Sequence, residues 1–154
     1  AGCDVVATVR SEASRAGVAA LGATVVAPEA FVDHGPYHVV LELVGAPNIE
    51  HDLRALATGG RIAVIGVGGG FTADLNLLAL MATRGRIHGS TLRARPLEDK
   101  AAAARRVERH VVPLMARGAV TVPIAAEVPL AEPARAYERF AAGGKLGKIV
   151  LVAE

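Results

Sequence analysis

Residues 39–70, VVLELVGAPNIEHDLRALATGGRIAVIGVGGG, constrain the fold more than any other stretch of this chain. A short apolar run at 39–43 carries one acid, Glu42, and breaks at the turn-forming sequence Gly45-Ala46-Pro47-Asn48. Ile49, Leu53 and Leu56 then recur at helical spacing. Gly59-Gly60 offers the left-handed stop that helix C-termini favour. Residues 61–65 form a second apolar run that leads straight into Gly66, Gly68, Gly69 and Gly70. Two apolar strands joined by one amphipathic helix predict parallel pairing in a sheet covered on both faces. Ligands of such sheets sit beyond the carboxyl ends of the strands, which puts Val44-Gly45 and Gly66-Val67-Gly68 at the rim of a site.

The flanking sequence repeats the alternation. Residues 4–10 read as a strand, Ser11 as the N-cap of an Ala-rich helix carrying Val18 and Leu21, and 24–26 as a further short strand. Residues 28–36 read as a loop with a partial turn near Phe31. Thr72 or Asp74 can cap a helix that buries Leu75, Leu78, Met81 and Ala82, and 86–92 is the next strand, weakened at Gly89. A helix opening at Pro96 has Val107, Val111, Leu114 and Met115 as its buried stripe, with a kink expected at Pro113. An extended stretch at 120–128 precedes a helix from Pro133 that buries Ala134, Tyr137 and Phe140, and 148–152 (KIVLV) closes the chain as a strand. Alternating strands and helices with short loops specify an α/β, doubly wound, mostly parallel sheet. At 154 residues, one domain spanning 1–154 is expected.

Composition narrows the function classes. The net charge is +2 and the pI is near 9.0, but the arginines are scattered and aromatics make up 3% of the chain, so no nucleic-acid interface is expected. The longest apolar runs are too short to cross a bilayer, so no membrane partner is expected. No basic leading segment opens the chain, and the lone Cys3 cannot form an internal disulfide, which points to a reduced, cytoplasmic setting. Neither the five histidines nor the single cysteine has metal-ligand spacing, so no zinc site is expected within the chain.

Several motifs in order resemble the cofactor domain of medium-chain dehydrogenases/reductases, nearest the zinc-independent quinone oxidoreductase and enoyl reductase branch. They are LGA at 21–23, VVLELVG at 39–45, LATGGRIAVIG at 56–66, RIHGSTLRAR at 86–95 and GGKLGKIVL at 143–151. The resemblance implies a Rossmann domain that binds a nicotinamide dinucleotide and presents it to a small-molecule substrate held by a separate domain. It also implies that Ala1-Gly2-Cys3 ends a first helix. The first strand, the glycine-rich phosphate loop G-x-G-x-x-G/A and the N-terminal substrate domain would then all lie outside the chain. In the strand order 3-2-1-4-5-6 the missing strand is central, so its loss exposes two backbone edges. The KIVLV segment is one candidate to fill the gap.

The candidate cofactor residues fall into three groups. The first is the rim itself, Val44, Gly45, Gly66, Val67 and Gly68. Its G-x-G lacks the final Gly or Ala of a phosphate fingerprint, because Phe71 stands there; the resemblance implies instead that this turn passes close to the nicotinamide. The second is Arg10, Ser11 and Arg15, at the strand end where an NAD enzyme would carry an acid for the ribose hydroxyl. Arginine matches a phosphate, which favours NADP(H) over NAD. The third is Lys148, which the resemblance puts near the nicotinamide and which is equally compatible with an exposed strand end. Glu42, an acid in an apolar strand, is expected to be a hydrogen-bonding structural residue.

Two functions compete. One is the NADP(H)-binding portion of an oxidoreductase that transfers hydride to an activated alkene or quinone, with weak binding and no turnover for this chain alone. The other is a catalytically silent assembly module that forms a homodimer through edge strand 86–92, helped by Ile87 and Leu92. Binding of another nucleotide at the same strand ends is a weaker third.

Overall fold

The structure is a computed structural model that describes residues 2–153. The chain forms two compact units, one of Val26–Pro96 and one built from the residues up to Val25 with those from Leu97 onward.

The Val26–Pro96 unit holds a three-stranded parallel ladder. Its strands are β3 (Tyr37–Glu42), β4 (Leu56–Val64) and β5 (Arg86–Gly89), in the order β3-β4-β5. Helix α2 (Ile49–Arg54) connects β3 to β4, and α3 (Leu77–Thr83) connects β4 to β5. The core is Val40, Leu53, Leu56 and Ile62, with Phe31, Tyr37, Val64, Ala79, Leu80 and Ile87 packed against it. Ile62 is fully buried, which contributes roughly 2 kcal/mol of apolar transfer. Residues 28–34, expected as loop, form a 3-10 helix whose Phe31 ring stacks on Tyr37 at 4.7 Å. The Tyr37 hydroxyl donates to the Phe31 carbonyl at 2.8 Å.

Three local expectations change in this unit. Gly59-Gly60 does not stop α2; the helix ends at Ala55, whose carbonyl accepts from the Tyr37 amide and ties the chain directly into β4. The glycines instead sit in a bulge, where Tyr37 pairs with Leu56 but Val39 pairs with Arg61. Helix α3 is capped by Asn76, whose side chain accepts from the Ala79 amide at 3.0 Å, not by Thr72 or Asp74. It turns Ala79 and Leu80 to the core and leaves Leu78 and Met81 exposed. Coverage on both faces holds for β4 at Ile62 and Ala63, whereas β3 buries Val40 and Glu42 and leaves Val39 and Leu41 open. The outer edge of β3 has no partner strand among the described residues.

In the other unit β1 (Val6–Thr8) pairs with β2 (Thr24–Val26), and helix α1 (Glu12–Ala19) lies between them in sequence. Helix α4 (Leu97–His110) stops at Val111 and α5 (Val112–Ala116) restarts with Pro113 in its first turn, so the expected kink is a break. The expected apolar stripe is open at Val107 and Met115. Strands β6 (Ile124–Pro129) and β7 (Lys148–Val152) pair in parallel across helix α6 (Pro133–Ala141). Ala136 is the buried residue of α6, while Ala134, Tyr137 and Phe140 are exposed. Phe140 lies under the Lys145 ammonium, 3.9 Å from the ring centre.

The split of the ladders matches the order expected when a central strand is absent: β1 with β2, and β3 with β4 and β5. KIVLV does not fill that place, because β7 pairs with β6. Ala1 lies outside the described residues; Gly2 has φ +74°, and neither it nor Cys3 has regular structure.

Candidate functional site

Both strand ends of the β3–β4 pair turn toward each other. From β3 the chain runs through Leu43 and Val44 to Gly45, and from β4 through Ile65 to Gly70. The Glu42 carbonyl accepts from the amides of Ile65 and Gly66 at 2.8 and 3.1 Å, and the Val44 carbonyl from Gly69 at 2.7 Å. The Gly70 carbonyl in turn accepts from Ala46 at 2.9 Å, and Gly45 and Gly70 form a parallel bridge. The glycines are what let two backbones come this close. Gly45 has φ +102°, and a side chain there would run into the Gly70 carbonyl and the Val67 backbone. A methyl at Gly66 would strike the Leu43 carbonyl, whereas Gly68 faces open space.

The run at 66–70 is therefore a locked turn and not a loose loop. It leaves Val44 and Val67 exposed on the rim. Beside them a cavity of about 630 Å³ opens at the carboxyl ends of β4 and β5, lined by Val64, Ile65, Val67, Gly89, Ser90, Thr91 and Leu92. Strand β5 is Arg86–Gly89, shorter than the 86–92 the sequence predicts, and this frees Ser90 and Thr91 to form cavity wall. The strand stops at Gly89 because Arg95 closes a turn over the next residues, donating to the Thr91 carbonyl at 2.8 Å and to the Ser90 hydroxyl at 2.9 Å. Ile87 packs against the core of its own unit, and Leu92 lies outside the strand.

Beneath the rim lies a buried acid that the sequence marked as structural. Glu42 is 3% exposed, and its Oε1 accepts from the Val44 and Gly45 amides at 2.5 and 2.6 Å. The Asn48 side chain donates to Oε2 at 3.1 Å. Burial raises the Glu42 pKa, but the amides of Gly45 and Val44, with Asp52 and Asn48, more than offset it and hold the carboxyl below its ordinary value. Asp52, from α2, is equally buried, and its Oδ2 has no hydrogen-bond partner. Burial first, then the hydrogen bond and the charge of Glu42, push Asp52 up to about 8. Nothing in the sequence singled out Asp52, which looks like any acid in a first helical turn.

The structure brings together the five rim residues Val44, Gly45, Gly66, Val67 and Gly68 within the Val26–Pro96 unit. Arg10, Ser11, Arg15 and Lys148 belong to the other unit. There Arg10 and Ser11 are exposed just beyond β1, and Ser11 takes the N-cap position of α1 without a side-chain cap bond. Arg15 is half-buried and its Nε donates back to the Val9 carbonyl at 3.2 Å. Lys148 is the exposed first residue of β7, and its amide donates to the Pro123 carbonyl at 2.9 Å.

The profile of a zinc-binding dehydrogenase family matches residues 16–151. Quinone oxidoreductase of Mus musculus is 30% identical over 115 residues, 74% of this chain and 33% of its own length. The chain thus spans about a third of the length of that relative. An alcohol dehydrogenase of Pyrobaculum aerophilum, solved with cobalt and zinc, superposes with a TM-score of 0.76 at 25% identity, over 98% of this chain and 43% of its own. A mycobacterial protein solved with NADPH shares the fold with a TM-score of 0.74 at 22% identity, over 98% of this chain and 49% of its own. The zinc of the family name does not fit the residues present: among those described, no three His, Cys, Asp or Glu side chains come together, and the Glu42–Asp52 pair has no third ligand. The match across most of the chain, the ordered motifs and the parallel strand–helix–strand unit make this chain a member of the zinc-binding dehydrogenase family, in the medium-chain dehydrogenase/reductase superfamily, with its Rossmann-type α/β fold.

Proposed function

We propose that this chain supplies the nicotinamide side of an NADP(H) site in an oxidoreductase of quinone or enoyl reductase type. The observation that carries the reading is the locked pair of strand-end turns at 43–45 and 66–70, with an open cavity beside them at the carboxyl ends of parallel strands. Val44, Gly45, Gly66, Val67 and Gly68 would line the nicotinamide and its ribose, their small or aliphatic side chains allowing close approach without competing hydrogen bonds. Arg10, Ser11 and Arg15 would bind the 2′-phosphate and Lys148 would serve the nicotinamide end. The bound nicotinamide supplies the hydride for an activated alkene or quinone; the chain's part is to bind and orient it.

The relatives support this reading without carrying it: the mouse relative is named for quinone reduction and one structural neighbour was solved with NADPH. On this reading the phosphate loop and the substrate wall are not supplied by these 154 residues. Weak NADPH binding and no turnover are therefore expected for the 154 residues alone, in a cytoplasmic setting. Titration with NADPH and NADH, followed by cofactor fluorescence, tests the reading. NADPH binding about tenfold tighter than NADH, roughly 1.4 kcal/mol, supports it, and tight binding with full quinone turnover by the chain alone contradicts it.

A second reading is a catalytically silent homodimer module. Its support is the outer edge of β5, which ends the β3-β4-β5 ladder and has no partner strand among the described residues. Sedimentation that gives a monomer at tens of micromolar removes it.

A further inference from the structure

Two carboxyls meet under the rim with no cation to balance them. Glu42 and Asp52 are both 3% exposed, and neither has a lysine, arginine or histidine partner among the described residues. Glu42 accepts from the amides of Val44 and Gly45 on Oε1 and from Asn48 on Oε2, an arrangement that favours the charged carboxylate. Asp52 offers a buried Oδ2 with no donor, which costs more for a carboxylate than for a neutral carboxylic acid.

We propose that Asp52 is the neutral acid at neutral pH and donates its proton to Glu42, so that the two buried carboxyls carry one charge and together hold the Val44-Gly45 turn in place. Asp52 is then a positioning residue for the rim, acting through Glu42. The elements packed against α2 carry Glu29, Asp33 and His34 on the 3-10 helix and Arg61 on β4, and α2 itself carries Glu50, His51 and Arg54. Glu42 is the one charged group that acts on Asp52. The raised folded-state value of Asp52 contributes stability that is full below the ordinary aspartate range and is lost as pH rises through about 8. The depressed value of Glu42 works in the opposite direction: its contribution is present above the ordinary glutamate range and is lost in acid. The Asp52 contribution therefore declines between about pH 4 and about 8, and above about 8 the turn carries a second buried charge.

Carboxyl-carbon NMR on the protein, with labelled aspartate and glutamate, reads the proton directly. The Asp52 carbon is expected at its neutral-acid position at neutral pH and to move only as pH passes about 8. An Asp52 signal that titrates with the surface aspartates near about pH 4 overturns the proposal. Asp52→Asn keeps a donor and removes the charge, so the fall in melting temperature expected of the parent between about pH 4 and about 8 should be absent from it. The same fall in both overturns the proposal. Amide exchange reads the turn itself: above about pH 8, Val44 and Gly45 are expected to exchange at least about tenfold faster in the parent than in Asp52→Asn at the same pH. Equal rates overturn the positioning role. What the turn would position rests on the nicotinamide reading above, and NADPH affinity on the same samples separates the two, because the carboxyl signals report the shared proton whether or not NADPH binds.

Discussion

The rim turns at 43–45 and 66–70 and the stretch from Arg10 to Arg15 both follow strand ends, yet they are built in opposite ways. The rim is held by crossed backbone hydrogen bonds, by glycines with no room for a side chain and by a buried carboxylate on two amides. The Arg10–Arg15 stretch has an exposed Arg10, an N-cap Ser11 without its cap bond and one long contact from Arg15 to a carbonyl. Backbone that must come close to a flat ring gains from being fixed beforehand. Exposed side chains that would grip a phosphate lose rotamer freedom and hydration on binding, so their replacement should register in ligand binding rather than in folding. The two regions should therefore respond to substitution in different observables, the first in stability and the second in ligand preference.

The largest expected effect is at the rim. Gly66→Ala forces a methyl against the Leu43 backbone and should destabilise by about 3 kcal/mol in thermal or denaturant unfolding. Glu42→Leu leaves the Gly45 amide and the Asp52 proton without an acceptor and should cost about 2 kcal/mol. Replacing Arg10 and Arg15 together by Ala should leave stability within about 0.5 kcal/mol. The same change should lower the NADPH-over-NADH preference about tenfold, by cofactor titration. A pair of helix caps gives the smallest and sharpest contrast. Asn76→Ala removes a formed cap bond and should cost about 1 kcal/mol, while Ser11→Ala removes none and should cost less than about 0.5 kcal/mol. Stability losses of similar size at Arg10, Arg15 and Gly66 would erase the distinction between the regions.

The strands were legible in the sequence because short β-branched runs such as KIVLV and TVV leave the backbone few alternatives; β2 and β7 lie at the expected residues. Which face a helix buries was harder to read. Helix α3 is LLALMAT, apolar on nearly every side, so periodicity could not choose between Leu78 with Met81 and the pair Ala79 and Leu80 that packs. In α6 the large Tyr137 and Phe140 are exposed and the small Ala136 is buried against its neighbours. The end of α2 was misplaced because a tertiary bond from Tyr37 to Ala55 captures the chain before Gly59 can act as a helix stop. Glu42 could be read as structural from its apolar strand. Asp52 could not be found at all, since its partner lies ten residues away and becomes visible only once the β3 end and α2 are packed together.

The most direct test of the central claim is an amide chemical-shift map of the isotopically labelled protein titrated with NADPH. The account predicts that Val44, Gly45, Gly66, Val67 and Gly68 shift together and saturate with one affinity. Saturable NADPH binding that leaves those five amides unmoved would contradict it.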